Sequence, residues 1–244
     1  MLEKVSLDKV LFLDIETVPA FPDIEQAPEE YKKLWEKKAE QLKEKEKDDI
    51  TPEELYEKAG IYAEFGKIIC ISVGYLSNDK GSRQFRVKSF FGHDEKIILE
   101  NFCKLLDSSF NSRFSFLCAH NGKEFDFPYL TRRIIINHIP VPEALETYGK
   151  KPWEIEYFLD TLQMWRFGDY KSYTSLALLC YVLGIPTPKD DIEGKDVWRV
   201  YYLDNDLERI VNYCEKDVLA VARLFLRFKS MPGIEDEEVV RINV

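Results

Sequence analysis

The run Leu11-Phe12-Leu13-Asp14-Ile15-Glu16-Thr17 constrains this chain more than any other stretch. An apolar segment ends in two acids one residue apart. In a strand, alternate side chains share a face, so Asp14 and Glu16 point the same way while Ile15 points into a core. Their Cα atoms would lie about 7 Å apart. Two carboxylates so placed can share one divalent cation or hold two adjacent ones. An isolated Asp-x-Glu reads as no more than a strand ending in a polar turn. Its meaning depends on partners elsewhere in the chain.

The bulk properties narrow the classes. A chain of 244 residues with 45% hydrophobic content can bury a substantial core and reads as one globular unit. A formal net charge of −10 argues against a broad basic surface for long duplexes, though not against a narrow nucleic-acid channel. The five cysteines, Cys70, Cys103, Cys118, Cys180 and Cys214, sit singly in apolar or helical contexts without a CxxC pair, and they read as buried reduced thiols. No signal peptide and no apolar run of membrane-spanning length is present, so a cytoplasmic location is the default expectation.

Residues 10–16 read as the first strand. Residues 23–60 read as a helical insertion on its exit. There Tyr31, Leu34, Trp35, Ala39 and Leu42 form a thin apolar stripe within a Glu/Lys-rich solvated stretch, and Thr51-Pro52-Glu53-Glu54 begins a short helix. Residues 67–76 and 84–91 read as a hairpin turning at 77–82. A helix over 94–106 turns Ile97, Ile98, Phe102 and Leu105 inward. A buried strand follows at 114–119, a helix at 125–137, a short strand at 156–160 and a helix at 172–183. Residues 186–200 read as a loop, 206–229 as a long final helix and 231–244 as a loosely held acidic tail. Strands that pair first and then alternate with helices indicate a single α/β domain over residues 1–244 with a mixed five-stranded sheet.

Two later segments can partner the first pair of acids. In His120-Asn121-Gly122-Lys123-Glu124-Phe125-Asp126-Phe127-Pro128-Tyr129-Leu130, a buried strand ends, Asn121 and Gly122 turn the chain, and Asp126 opens a helix. Ligands gather at such strand ends in α/β sheets, although an acid at a helix start also complements the dipole. In Tyr213-Cys214-Glu215-Lys216-Asp217, residues four apart share one helix face, so Tyr213 and Asp217 can address one point. By itself that pair reads as an amphipathic helix with an exposed Asp.

Together, Asp14, Glu16, Asp126 and the Tyr213/Asp217 pair resemble, in order and context, the DEDD exonucleases, in their tyrosine (DEDDy) variant. Phe-Asp-x-Pro-Tyr-Leu at 125–130 and Tyr-x-x-x-Asp-Val at 213–218 are most similar to the proofreading exonuclease domain of family B DNA polymerases. The resemblance spans residues 10–228, and no polymerase domain follows, so the chain is expected to be a stand-alone relative. It implies a ribonuclease H-like three-layer fold with flanking helices. It also implies metal-dependent 3′–5′ hydrolysis of phosphodiester bonds, releasing 5′ nucleotides. The insertion at 23–60 is longer than that fold requires.

The resemblance assigns Asp14, Glu16, Asp126 and Asp217 as metal ligands, with Tyr213 positioning the nucleophile, and Thr17, Asn121 and Phe125 as substrate contacts. Phe125, which would stack on a base, reads equally well as core. Four converging carboxylates repel each other and must take up protons or cations. Oxygen ligands with no Cys or His expected nearby point to two Mg²⁺ or Mn²⁺ ions clamping an in-line displacement. One ion would be held by Asp14, Glu16 and Asp217 beside the attacking water. The other would be held mainly by Asp14 at the leaving 3′ oxygen, with Asp126 orienting it. A phenol is a poor base at its ordinary pKa.

Asp160, Asp191 and Asp196 read as caps or turn residues sooner than ligands. Lys123, Arg132, Arg133, Arg166, Lys171 and Arg199 are scattered basic candidates for phosphate contact, for which a plain surface role is the better reading. The expected partner is nucleic acid: single-stranded DNA or frayed 3′ ends, with RNA as an alternative. A non-catalytic nucleic-acid-binding module is a third reading, which loss of a ligand acid would have favoured. None is lost.

Overall fold

The computed structural model describes residues 5–46, 51–79, 81–111, 115–169, 173–186 and 192–242. Val10–Pro19 (β1) runs through the middle of the sheet. It pairs antiparallel with Gly66–Asp79 (β2) and parallel with Phe116–Ala119 (β4). β2 continues antiparallel into Ser82–Phe91 (β3), and β4 pairs parallel with Phe158–Asp160 (β5). Val239–Arg241 (β6) adds parallel to β3, giving the order β5-β4-β1-β2-β3-β6. The result is a mixed α/β sheet with helices on both faces, consistent with the ribonuclease H-like arrangement, but with six strands where five were expected.

The strand alternation of β1 sorts the two layers. Leu11, Leu13 and Ile15 join the core under Glu95–Ser109 (α3) and Asp126–Ile136 (α4), with Phe102, Leu130 and Ile134. Val10 and Phe12 face the opposite core, where Leu207–Phe228 (the last helix) contributes Val218, Val221, Ala222 and Phe225. Asp14 and Glu16 continue that second row, so the parity of β1 directs them under the last helix.

The insertion forms two helices, Glu29–Glu46 (α1) and Pro52–Tyr56 (α2), with the expected capping box at Thr51 and Glu54. Trp35, Ala39, Leu55 and Tyr56 make their own buried cluster, and the Trp35 indole donates to the Pro52 carbonyl at 2.7 Å. Leu34, expected in the apolar stripe, is exposed.

Other expectations are corrected. The helix at 94–106 is α3, whose N-cap is Asp94. Its inward row is Ile98, Leu99, Phe102, Cys103 and Leu106, while Ile97 is exposed. Thr161–Arg166 (α5) precedes Leu176–Leu183 (α6), and the loop expected over 186–200 ends in a helix, Val197–Tyr202 (α7). Six residues give too little periodicity to reveal α7, yet Val197, Val200 and Tyr201 pack on Val18, Ile69 and Ile210. The last helix, now α8, matches its expected span to within one residue at each end. The tail, expected to be loosely held, is tied down by β6 and by Arg83–Glu238 and Arg223–Asp236 ion pairs.

Candidate active site

The β1–β2 register shifts between Glu16 and Thr17, a bulge just past the two acids. Such an irregularity bends a strand and increases its twist. Glu16 is buried and Asp14 half-buried. Thr17 turns away from this face and hydrogen-bonds the Tyr129 phenol, which itself donates to the Gly60 carbonyl at 2.7 Å.

The second acid arrives through the turn after β4. Asn121 adopts a left-handed backbone (φ 62°). Next to it, a Cβ on Gly122 would come within 2.5 Å of the Ala119 side chain, so only glycine fits the turn. The Asp160 carboxylate accepts from the N–H groups of Asn121 (3.0 Å) and Lys123 (3.1 Å) while capping α5 through Leu162 (2.9 Å). Its reading as a cap fits this geometry, and it also braces the turn. Asp126 opens α4, is buried, and accepts from the Ile15 N–H, between Asp14 and Glu16.

From the other face, α8 brings Tyr213 and Asp217 together: the phenol is hydrogen-bonded to the Asp217 carboxylate. Cys214 lies beneath them. Its thiol donates toward Asp14 Oδ2 at 3.3 Å and the Asp14 carbonyl at 3.5 Å. The expectation of no cysteine nearby is therefore corrected. One residue along a helix turns about 100°, which carries Cys214 from the Tyr213 face onto the strand.

The electrostatics follow from this crowding. Burial first, then Asp217 and Asp126, push the Asp14 carboxyl well above its ordinary range; burial, Asp14 and Asp217 do the same to Glu16. Burial raises Asp126 to about 7, against hydrogen bonds from its own N–H and that of Ile15, which pull it down. Tyr213 is raised by burial and by Asp217, so its phenol stays protonated. Such a cluster needs protons or cations to be stable. Ligand-type atoms of Asp14, Glu16 and Cys214 lie within 4.8 Å of one another. Burial holds the Cys214 thiol protonated, so the oxygen atoms are the available donors, a set suited to hard divalent cations.

The remaining residues divide. Asn121 keeps a buried Oδ1 without a hydrogen-bond partner. Phe125 is half-buried, its ring packed on Tyr129 at 5.3 Å. Arg133 is corrected from a surface candidate to a buried partner of Glu95 (Nε to Oε1, 2.8 Å). Arg166 pairs with Glu124 at 3.2 Å and Arg199 with Asp204 at 2.8 Å. Asp196 accepts from the Glu193 N–H at 2.9 Å. Lys123 and Arg132 line a cavity of ≈ 510 Å³ on the outer side of the turn, and Tyr213 borders one of ≈ 380 Å³ with Arg209, Asn212 and Lys216. Lys171 and Asp191 lie outside the described residues.

Besides Cys214, a further neighbour of the acids escaped the sequence reading. The Tyr173 phenol is raised by burial and by the field of Asp126, Asp14, Asp160 and Asp217, and its ring lies 6.4 Å from that of His120. His120 secures this segment by hydrogen bonds to Thr161 Oγ1 and the Thr174 carbonyl, each 2.9 Å. No periodic or motif signal marks Tyr173.

A family model described as "Predicted 3'-5' exonuclease related to the exonuclease domain of PolB" matches residues 61–242. That stretch carries Asn121, Asp126, Tyr213 and Asp217; Asp14 and Glu16 precede it and are joined to it by β1–β2 pairing. No curated protein matches the chain. Among the described residues, no helix is long and apolar enough to cross a membrane.

Proposed function

The chain belongs to this family of predicted 3′–5′ exonucleases related to the exonuclease domain of PolB, and from that premise we propose that it is a DEDDy-type enzyme shortening single-stranded DNA from its 3′ end. One observation carries the reading. The hydrogen-bonded Tyr213–Asp217 pair of α8 abuts the strand end bearing Asp14 and Glu16, and Asp126 reaches that strand's Ile15 N–H from the opposite layer.

Asp14, Glu16, Asp126 and Asp217 would hold two divalent cations, Mg²⁺ or Mn²⁺. Bound there, such ions would lower the pKa of water and stabilise charge on the phosphoryl oxygens. The chain's own groups supply the rest. Tyr213 remains a phenol and cannot act as a base, but its oxygen retains acceptor capacity with which to orient a nucleophilic water. The unpartnered Asn121 Oδ1 suits a terminal 3′-hydroxyl, and a buried acceptor left unmatched costs about 1–3 kcal/mol. The free side of Phe125 offers a ring for the terminal base. The five buried free thiols support a reducing, cytoplasmic setting.

The test uses 5′-labelled single-stranded DNA, duplex DNA and RNA with Mg²⁺, Mn²⁺ or chelator. A ladder shortening from the 3′ end of single-stranded DNA, absent in chelator and in Asp14→Ala and Asp217→Ala, is expected. Preferential shortening of RNA would change the substrate. Full activity of either variant, or binding without cleavage in every condition, would remove the assignment.

A further inference from the structure

The sheet face beneath α8 carries a polar row that packing alone does not require. Asp14, Ser72 and Ser89 stand directly opposite one another on β1, β2 and β3, and Glu16 stands opposite Cys70 two residues along. Ser72 and Ser89 join through their hydroxyls at 2.8 Å, and Ser89 donates to Glu215 Oε1 at 2.9 Å. The other Glu215 oxygen is 2.9 Å from Arg241 Nε on β6. Toward the site, Cys70 Sγ lies 3.6 Å from the Ser72 hydroxyl and is hydrogen-bonded to Cys214, which donates to Asp14 Oδ2. Cys70, Ser72, Ser89 and Cys214 are all buried. Small apolar residues would fill this interface without the cost of desolvating hydroxyls and a carboxylate. A buried polar network rigidifies the elements that share it, although the four hydroxyl and thiol protons leave one of the five links between Glu215 and Asp14 as packing alone. This one starts at an ion pair on the far edge of the sheet and ends on a proposed metal-ligand oxygen.

We propose that Glu215, clamped between Ser89 and Arg241, is a positioning residue that sets the rotation of α8 and, through Ser72, Cys70 and Cys214, the direction of the Asp14 carboxylate, so that the acids are preorganised for divalent cations. This rests on the reading that Asp14, Glu16 and Asp217 hold those cations. Glu215 shares α8 with Tyr213 and Asp217, so its two contacts restrain the backbone that carries both. Partners behind metal ligands typically matter by 10–100-fold in metal affinity or activity.

The experiment measures Mn²⁺ binding to the full chain without substrate, from the loss of the free-ion paramagnetic resonance signal. Thermal unfolding in chelator is run alongside. Glu215→Ala is expected to weaken the tighter Mn²⁺ site about 10–100-fold. Arg241→Ala, a change at a half-exposed end of the network, is expected to weaken it in the same direction while the protein stays folded. Glu215→Gln, which keeps an acceptor for Ser89 but turns an amide NH2 toward Arg241 Nε, is expected to recover only the Ser89 part of the loss and to match Arg241→Ala. Ser89→Ala combined with Glu215→Ala is expected to be no worse than Glu215→Ala alone, because the two act as one unit. Should Glu215→Ala not fold, Arg241→Ala and Glu215→Gln carry the test. Unchanged Mn²⁺ affinity in the folded variants, with or without a lower unfolding temperature, would overturn the proposal while leaving the site assignment intact. Failure of the unaltered protein to bind Mn²⁺ would instead overturn the cation site on which it rests.

Discussion

At the scale of single residues, the chemistry is governed by carboxyl groups that keep protons their exposed counterparts would release. Asp126 illustrates the sign. Its carboxyl stands at about 7 in the folded chain against an ordinary 3.8. Between those values the folded form holds a proton that the unfolded form has lost. The stabilisation is therefore complete below about pH 4 and disappears as pH rises through about 7. His120 runs the other way. Burial lowers its pKa, so its contribution is present above the ordinary 6.5 and is lost on acidification. Comparison with Asp126→Asn cancels His120, which is common to both proteins, and leaves the Asp126 carboxyl together with its repulsion of Asp14 and Glu16, which acts in the same direction. In chelator, urea unfolding should show the unaltered protein losing stability relative to Asp126→Asn between pH 5.5 and 8. A difference independent of pH across that range would contradict the assignment of a proton to this group.

At the scale of elements, the position of Asp126 depends on how α4 is anchored. Arg133, two turns along α4, donates to Glu95 on α3 and, at 2.8 Å, to the Ala63 carbonyl. Glu95 also accepts from the Ile68 N–H of β2 at 2.7 Å and from Asn137 at 2.9 Å. One buried ion pair thus staples two helices, the start of β2 and the preceding turn. Removing one member leaves the other charged and unpaired, so Arg133→Met should cost about 3–5 kcal/mol in denaturant unfolding. Replacing both members with apolar residues should recover much of it. A loss below about 1 kcal/mol for Arg133→Met would show that water or another group takes over the pairing. Sequence spacing could not reveal this pair, because its members are 38 residues apart. Local pattern did reveal the elements that hold the site. The alternation of β1 placed Asp14 and Glu16 on one face, and the four-residue step of α8 put Tyr213 beside Asp217. It failed where the decisive contact is distant or the element short. β6 exists through pairing with β3, α7 is only six residues long, and Ile97 is exposed because the inward row of α3 begins at Ile98.

At the scale of the whole molecule, three separate parts of the chain supply the acids: the central strand, the start of a helix on one face, and the middle of the helix on the other. The family match begins after the first of these, so the sheet itself connects the opening acids to the rest. The formal net charge of −10 argues against a broad basic surface for long duplexes. Cys214, Glu215 and Tyr173 show what the sequence concealed. Each lies beside or behind residues the motifs identify, and their neighbours are set by strand register and helix packing rather than by spacing along the chain. The central claim, that these distant acids form one cation-holding centre, is tested most directly by anomalous diffraction from crystals of the full chain grown with Mn²⁺ and a short single-stranded oligonucleotide. Two manganese peaks about 3.5–4 Å apart, bounded by Asp14, Glu16, Asp126 and Asp217, are expected. Manganese bound elsewhere, with Asp217 turned away from β1, would contradict it.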